Sequence, residues 1–436
     1  MGVTIDGRKI GRIAVLGFGT TGRALVEFAI GRRLSPIVSE ARPLAEADRE
    51  WLAERGVEFE DGGHTDGFLA RAEAIVLSPG VPPSIPPLQM AMERGIPVLS
   101  EIDLACSLIS PPIVAVTGTN GKSSVVTLIG YLLEGAGEVP IVAGNIGMPA
   151  ISIVDTASSA SAVVLEVSSY QLEQSGSFRP RIGILLNLAP DHLHRHGTME
   201  AYAAAKGRLF QLQTPEDVAI LPSALADLFD QGAARRIFFD TAGFPLPPYF
   251  DSLPPHEREN LKAAAASMIA LIPDFDPAAI PEETLRAAFG LPHRLEEVGT
   301  VGGVRVINDS KSTNPASAIA ALRATEGDVV LLIGGRSKGA GYEDLAREVG
   351  ARPVRAVITY GEAAGELSAL LARFGIETAV GSDLEEGISL SLAAAGPGDT
   401  FLFSPACSSF DQFTDFAERG EEFVRFISRL PGFSQK

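Results

Sequence analysis

Gly118-Thr-Asn-Gly-Lys-Ser123 has the residue types and spacing to hold phosphate. Four apolar residues, Ile113 to Val116, read as a buried strand leading into it. Val125, Val126, Ile129, Leu132 and Leu133 follow at helical spacing. In a strand, glycine loop and helix of this kind, backbone N–H groups from Gly118, Thr119, Asn120 and Gly121 and the helix N-terminus face an anion. Lys122 then reaches the outer phosphates, and a hydroxyl from Ser123, with Ser124 beside it, can join Mg²⁺. The match is to a short form of the P-loop, since the longer pattern wants a glycine where this chain has Val116.

A second glycine loop, Gly17-Phe-Gly-Thr-Thr-Gly22, follows a strand over 12–17 and opens a helix over about 23–32. The next strand, 36–40, ends at Glu40, where an acidic residue would meet a dinucleotide ribose. Taken alone, this unit says dehydrogenase. Two phosphate-type loops say more: a dehydrogenase needs only the first, and the second asks for a nucleoside triphosphate.

Further polar groups stand at the ends of apolar runs. Glu166 closes Val163-Val-Leu-Glu-Val167, where a carboxylate beside a P-loop can hold Mg²⁺; the alternative is a solvent-facing strand end. Asn187-Leu-Ala-Pro-Asp-His-Leu-His-Arg-His196 has three histidines at spacing two, without the cysteines or the i, i+4 form of a zinc site. Asp191 and His192 fit a Mg²⁺–phosphate site better, with His194 and His196 as solvated neighbours. Lys206, within Ala203–Phe210, reads from composition as an exposed helix lysine. Pro292–Glu296, Asn308–Pro315, Gly334–Lys338 and Ser404–Phe413 each pack polar groups next to a strand, and the last is expected to open the final helix.

The elements that must position these groups alternate strand and helix. Ala74–Leu77 is a strand ending at Ser78-Pro-Gly80, with a helix over about 88–94 after it. Ser110-Pro-Pro112 breaks the chain before the P-loop strand. Ile182–Asn187 is another core strand. Five prolines between Pro245 and Pro255 make 241–256 a loop, and 260–270 is an Ala-rich helix. After Gly290-Leu-Pro292 come strands at 329–333, 356–360 and 400–403, a helix over about 363–374, and a final helix to Leu430. Alternation of this kind implies a parallel sheet covered on both faces. The expected fold class is α/β in three domains: a Rossmann-like domain (1–109), a central P-loop ATPase-type parallel sheet (110–291), and a Rossmann-like C-terminal domain (292–436).

Bulk properties agree. At 436 residues, 46% hydrophobic and 21% charged, the chain has the composition of a globular protein with large cores. Its net charge of −18 argues against nucleic acid as a partner, though local Arg, Lys and helix ends can hold a small anion. Cys106 and Cys407 make no disulfide framework and suit a reducing cytoplasm. There is no apolar signal core and no run of eighteen apolar residues, so neither export nor a membrane span is expected.

Together and in this order, the motifs resemble the Mur ligase family over essentially the whole chain. The Gly118–Ser123 loop marks a superfamily shared with folylpolyglutamate synthases. Asn308-Asp-Ser-Lys-Ser-Thr-Asn314 and Ser404-Pro-Ala-Cys-Ser-Ser-Phe-Asp-Gln-Phe413 are similar to the D-glutamate-adding branch. The resemblance implies ATP-dependent ligation of D-glutamate to UDP-N-acetylmuramoyl-L-alanine through an acyl phosphate, with two Mg²⁺ ions. The loop residues Gly19, Thr20 and Thr21, with Glu40, Arg42 and Gly80, would bind the UDP part. Asn145 and His192 would contact the sugar-peptide. Ser123 and Glu166 would serve the first Mg²⁺ and His192 the second. Lys206 aligns with the lysine that family members carbamylate. Asn260, Arg294 and Asp309 would hold adenine, phosphate and ribose, and Lys311 the phosphate end. Thr313, Lys338, Ser409 and Phe416 would seat D-glutamate, Lys338 by its side carboxylate. Glu257 departs from the usual Asn after His256, and Ser124 from the commoner Thr. The choice of D- over L-glutamate rests on the resemblance alone, because spacing carries no chirality. A cytoplasmic monomer is expected. The alternatives are a sibling ligase or folate enzyme, an NAD-dependent dehydrogenase, and a nucleotide-binding regulator.

Overall fold

The structure, a computed structural model, describes residues 3–5, 7–339 and 341–436. A short antiparallel hairpin, β1 (Val3–Ile5) and β2 (Arg8–Ile10), precedes three sheets. The first sheet contains β3 (Arg12–Leu16), β4 (Ser35–Glu40), β5 (Glu58–Asp61), β6 (Ala74–Leu77) and β7 (Val98–Ser100). Its order is β5-β4-β3-β6-β7, all parallel. The second contains β8 (Ile113–Thr117), β9 (Pro140–Gly144), β10 (Ala162–Glu166), β11 (Ile182–Leu185), β12 (Val218–Leu221) and β13 (Arg235–Phe238). Its order is β13-β12-β11-β8-β10-β9, again all parallel. Every residue of β8, β10, β11 and β12 is buried, as parallel strands with both faces covered require.

The third sheet differs from the expectation of a purely parallel array. It contains β14 (Glu296–Val301), β15 (Val304–Asn308), β16 (Val329–Gly334), β17 (Val354–Tyr360), β18 (Thr378–Gly381), β19 (Thr400–Ala406) and β20 (Phe433–Gln435). The order is β18-β17-β16-β19-β15-β14-β20. The five strands from β18 to β15 are parallel, but β14 runs antiparallel to both β15 and β20. The physical reason is local: Gly302-Gly303, both at positive φ, turn the chain back at once, so β14 and β15 form a hairpin rather than a crossover.

In each sheet, chain connections leave two adjacent strands in opposite directions, and ligands bind at such switch points beyond the strands' C-terminal ends. In the first sheet the switch lies between β3 and β6, in the second between β8 and β11.

Several boundaries move, two of them by more than a turn or across a whole motif. The helix expected over 260–270 spans Pro255–Leu271. Pro255 does not block it, because the first helical residue needs no N–H partner within the helix. The Ser404–Phe413 motif does not open the last helix: β19 continues to Ala406, and the helix Phe416–Ser428 begins where Asp415 accepts from Ala417 and Glu418 N–H.

The chain forms two compact units. One runs through Asn187 and takes in Ala203–Pro247 and Glu259–Ile280. The other comprises Leu188–Tyr202, Pro248–Arg258 and Pro281–Lys436. Among the described residues, no helix is long and apolar enough to cross a membrane.

Candidate active site

In the first unit, β8 runs straight into the glycine loop, and the helix Lys122–Gly135 leaves it. Gly121 caps that helix at φ +88°, a left-handed conformation that glycine adopts without steric cost. Asn260 packs against it, its Oδ1 lying 2.5 Å from where a Cβ would stand. Lys122 folds over the loop and donates to the carbonyls of Gly118 at 3.0 Å and Thr119 at 2.9 Å. Ser124, the next residue but one, is buried in the same helix.

The ends of β9 and β10 bring two more groups to the loop. Ser123 Oγ donates to Glu166 Oε2 at 2.7 Å, and Asn145 Nδ2 donates to Glu166 Oε1 at 2.9 Å. A hydroxyl and a carboxylate side by side are the hard oxygen donors that suit Mg²⁺, an ion that keeps positions for water and nucleotide phosphates. The residues present therefore fit the ion that the resemblance implies.

Lys206 comes in from the helix Met199–Gln211. It is 1% exposed, and its Nζ donates to Gly118 O at 2.9 Å and Thr117 Oγ1 at 3.3 Å. This overturns the compositional reading of an exposed lysine: tertiary packing turns the side chain inward against the base of the loop. Asn187, named in the sequence only as the start of a motif, clamps the same loop. Its carbonyl accepts from Thr119 N at 3.1 Å, its Oδ1 from Asn120 N at 2.9 Å, and its Nδ2 donates to Asn120 O at 3.0 Å.

The first sheet gathers the residues expected to bind UDP. Gly19 caps the helix Thr20–Gly31, so Thr20 and Thr21 offer their N–H groups in its first turn. Glu40, at the end of β4, accepts from Phe18 N at 2.7 Å and from Arg42 N at 3.2 Å. The Arg42 side chain itself is 90% exposed. Across the switch point, Ser78 Oγ donates to Gly17 O at 2.8 Å. Gln174, from the central sheet's helix Ser169–Gln174, donates to the carbonyls of Ser78, Pro79 and Val81 and so fixes the loop around Gly80.

The second unit holds the remaining groups. Asp309 is buried at the end of β15 and accepts from Ser404 Oγ at 2.7 Å and Leu295 N at 3.2 Å. Burial pushes its carboxyl up to about 6 in spite of these bonds. Lys311 Nζ lies 4.9 Å from the centre of the Phe416 ring. Lys338 donates to Thr313 Oγ1 at 3.3 Å and pairs with Asp191 Oδ1 at 3.0 Å. Ser409 is buried in the turn after β19. His192 follows Asp191 with φ +54°, and its ring centre is 6.0 Å from that of His194.

A pocket of about 420 Å³ lies in this unit, with Arg294 and Glu257 among walls that include Leu253, Leu285, Phe289 and Pro292. Burial raises the Glu257 carboxyl, with Arg294 pulling the other way. Burial, with Arg294 adding, lowers neighbouring His256 to about 4, so it is neutral at pH 7.

Arg419 is the residue that sequence patterns missed. It is fully buried in the last helix. Its Nε donates to Ser310 Oγ at 3.0 Å and its two terminal nitrogens to Ser310 O at 2.7 Å and Cys407 O at 3.1 Å. It thereby ties the loops after β15 and β19. Backbone strain marks the same segments. Of the five non-glycine residues at positive φ among the described residues, four, His192, His293, Leu295 and Ala406, lie in or beside the polar motifs. Such concentration is what functional loops show.

The chain is similar to known proteins over three stretches. Residues 11–100 match the family model for the Mur ligase MurD-like N-terminal domain, 116–237 the Mur ligase middle domain, and 293–407 the Mur ligase glutamate ligase domain. A UDP-N-acetylmuramoylalanine--D-glutamate ligase of Pelotomaculum thermopropionicum is 36% identical, covering 96% of this chain and 98% of that protein. The enzyme of the same name from Desulfotalea psychrophila is 39% identical over 97% of each chain. Among solved structures, a MurF ligase from Thermotoga maritima in complex with ADP aligns with a TM-score of 0.55 at 18% identity, covering 96% of this chain and 94% of that one. At that identity the likeness is one of fold.

Proposed function

The chain belongs to the Mur ligase family, and from that premise we propose that it joins D-glutamate to UDP-N-acetylmuramoyl-L-alanine at the expense of ATP. The observation that carries this reading is the meeting of Ser123, Asn145 and Glu166 at the mouth of a loop that also holds Lys122 and the buried Lys206. That assembly suits transfer of a phosphoryl group to an anionic acceptor.

The alanine carboxylate attacks the γ-phosphorus of ATP, forming a C–O–P bond and releasing ADP. The amine of D-glutamate then attacks the acyl carbon, the bond to the phosphate oxygen breaks, and the amine gives up a proton as the amide forms. The first step sets anion against anion, so positive charge and fixed geometry supply most of the catalysis. Mg²⁺, held by Ser123 and Glu166 and a second time through His192, would supply charge neutralisation on the phosphates. Lys122 leaves its loop carbonyls to meet the outer phosphates, while the N–H groups of Gly118 to Ser124 cradle the chain. Lys206, once carbamylated, would carry a carboxylate on its Nζ, turning a cation at the base of the loop into an anion. Asn260, Arg294 and Asp309 hold the nucleoside end and Lys311 the phosphate end. The pocket beside Arg294 suits a planar base, and Glu257 replaces the family's usual Asn there.

Gly19, Thr20, Thr21, Glu40, Arg42 and Gly80 take the UDP moiety, and Asn145 and His192 the sugar-peptide. Thr313, Lys338, Ser409 and Phe416 seat D-glutamate. We assign 1–109, 110–291 and 292–436 to the UDP, ATP and amino-acid domains, and a monomer in the cytoplasm as the working form.

The test is phosphate release from ATP with UDP-N-acetylmuramoyl-L-alanine and a panel of amino acids including D- and L-glutamate. Release with D-glutamate alone is expected. Release with another amino acid would keep the ligase chemistry and remove the assignment of Thr313, Lys338, Ser409 and Phe416. No release with any pair would reopen nicotinamide binding at Gly17–Gly22.

A further inference from the structure

Gln174 ends the short helix that follows β10 of the second sheet, yet its side chain serves the first. Its Nε2 donates to three carbonyls of one loop, those of Ser78 at 3.1 Å, Pro79 at 3.3 Å and Val81. These partners fix the orientation of the amide, because the flipped form would set Oε1 against three carbonyl oxygens. Oε1 instead lies buried with no hydrogen-bond partner among the described residues. An orphaned oxygen of this kind is rare in a native structure and calls for an explanation.

The three held peptide units are unequal. Those of Ser78 and Val81 lead into Pro79 and Pro82 and carry no N–H. Only the Pro79–Gly80 unit has one. In a trans peptide the C=O and N–H point opposite ways, so a Pro79 carbonyl turned to Gln174 aims the Gly80 N–H at the other face of the loop. A Cβ on Gly80 would meet nothing within 4 Å, so a ligand has room to come close to the backbone there. Ser78 Oγ, donating to Gly17 O at 2.8 Å, ties the same loop to the first glycine turn.

The helix Ser169–Gln174 is itself held at both ends. It starts just after Glu166, and Ser168 and Gln171 cap it reciprocally. Beyond it, Gly176 N donates to Asp103 Oδ2 at 2.9 Å and Ser177 N to Asp103 Oδ1 at 3.1 Å. Asp103 in turn belongs to the cap of the helix Glu101–Leu108, which follows the last strand of the first sheet. We propose that Gln174 is a positioning residue for the ligation: it sets the loop around Gly80 for the UDP moiety and keeps that loop in register with the segment carrying Glu166. The inference rests on the ligase reading above. The acceptor substrate is long, with UDP at one end and the reacting carboxylate at the other. Anchoring one end delivers the other to the γ-phosphate only if the span between the two holding segments is fixed. An error of about 1 Å there costs on the order of 100-fold in rate.

Gln174→Met keeps the size of the side chain and removes the donor. The full chain would be compared as wild type and variant by calorimetry, with UDP-N-acetylmuramoyl-L-alanine and, separately, with a non-hydrolysable ATP analogue. The variant is expected to bind the UDP-sugar roughly tenfold more weakly, the scale of one hydrogen bond left unmade, and the ATP analogue within about twofold of wild type. Gln174→Glu is expected to bind the UDP-sugar more weakly again, since a carboxylate would face three carbonyl oxygens. At saturating substrates, phosphate release is expected to fall roughly tenfold in kcat, because the carboxylate arrives out of register. Equal weakening of both ligands would reduce Gln174 to general support of the fold and overturn the proposal. Unchanged affinity for the UDP-sugar, or no binding of it to wild type, would overturn it too. Weaker binding with an undiminished kcat would show a loop held without a register, and would likewise overturn it. Should Gln174→Met not fold, Gln174→Asn withdraws the same amide by one methylene and is read in the same way. If wild type releases no phosphate with any amino acid, the ligase reading falls, and the split between the two ligands still decides whether Gln174 sets the loop.

Discussion

Glu166 is 3% exposed, and its two oxygens are taken by Ser123 and Asn145. Glu166→Gln preserves the shape and removes the charge that would offset a divalent cation. Phosphate release is expected to fall roughly 100-fold or more in kcat/KM, with a higher Mg²⁺ concentration needed for half-maximal rate. An unchanged Mg²⁺ dependence would take Glu166 out of the metal site. Lys206 invites a different experiment. Lys206→Ala is expected to abolish most turnover, and short carboxylic acids to restore part of it by standing in for a carbamate. Full activity in the variant would remove Lys206 from the chemistry. Both residues were visible in the sequence, but for unequal reasons. Glu166 was marked by its place at the end of an apolar strand. Lys206 had no local signal and needed the resemblance, because burial of one helical lysine depends on what packs against that helix.

At the scale of elements, strand–loop–helix units were legible wherever apolar runs met glycine. β3, β6, β8, β16 and the helices after the two glycine loops fall where periodicity puts them. The short, half-exposed β5, β13 and β18 were not legible, since their residues alternate too weakly to show one buried face. The β14–β15 hairpin was missed because a reading based on alternation expects crossovers. Arg419 shows how an element can hold loops from a distance. Arg419→Met would leave the Ser310 and Cys407 carbonyls without their buried donor, and a loss of about 2–4 kcal/mol in unfolding free energy is expected. Chemical denaturation of wild type and variant would check it. A change below about 0.5 kcal/mol, the range of surface substitutions, would show that the two loops hold their places without the guanidinium.

For the molecule as a whole, pH sets a measurable balance through Glu101. This residue opens the helix Glu101–Leu108, which follows the last strand of the first sheet, and its Oε1 accepts from Ile151 N at 2.8 Å in the central domain. Burial pushes its carboxyl from 4.5 to about 7, against the pull of the Ile151 N–H. The native state therefore binds a proton that the unfolded chain has already released between those values. Stability from this group is present below about 4.5, is lost as pH rises, and is gone above about 7. The loss is on the order of 3 kcal/mol at full ionisation. Glu101→Gln keeps the acceptor and cannot ionise, so its unfolding free energy is expected to fall less than wild type's between pH 5 and 8. Parallel pH profiles for the two proteins would exclude Glu101 as the cause.

What the amino-acid sequence determined by itself was local: where glycine loops interrupt strands, which polar groups end apolar runs, and that two phosphate-type glycine loops are present. These follow from backbone sterics and hydrophobic period, which act over a few residues. Tertiary structure alone decided which side chains face one another. Asn187 came to clamp the P-loop because β11 lies beside β8 in the sheet. Asp191 came to pair with Lys338, and Arg419 to hold Ser310 and Cys407, although the partners stand 147, 109 and 12 positions apart. Charge and hydrogen-bond partnerships of that range depend on sheet order and helix packing, and no spacing along the chain encodes them.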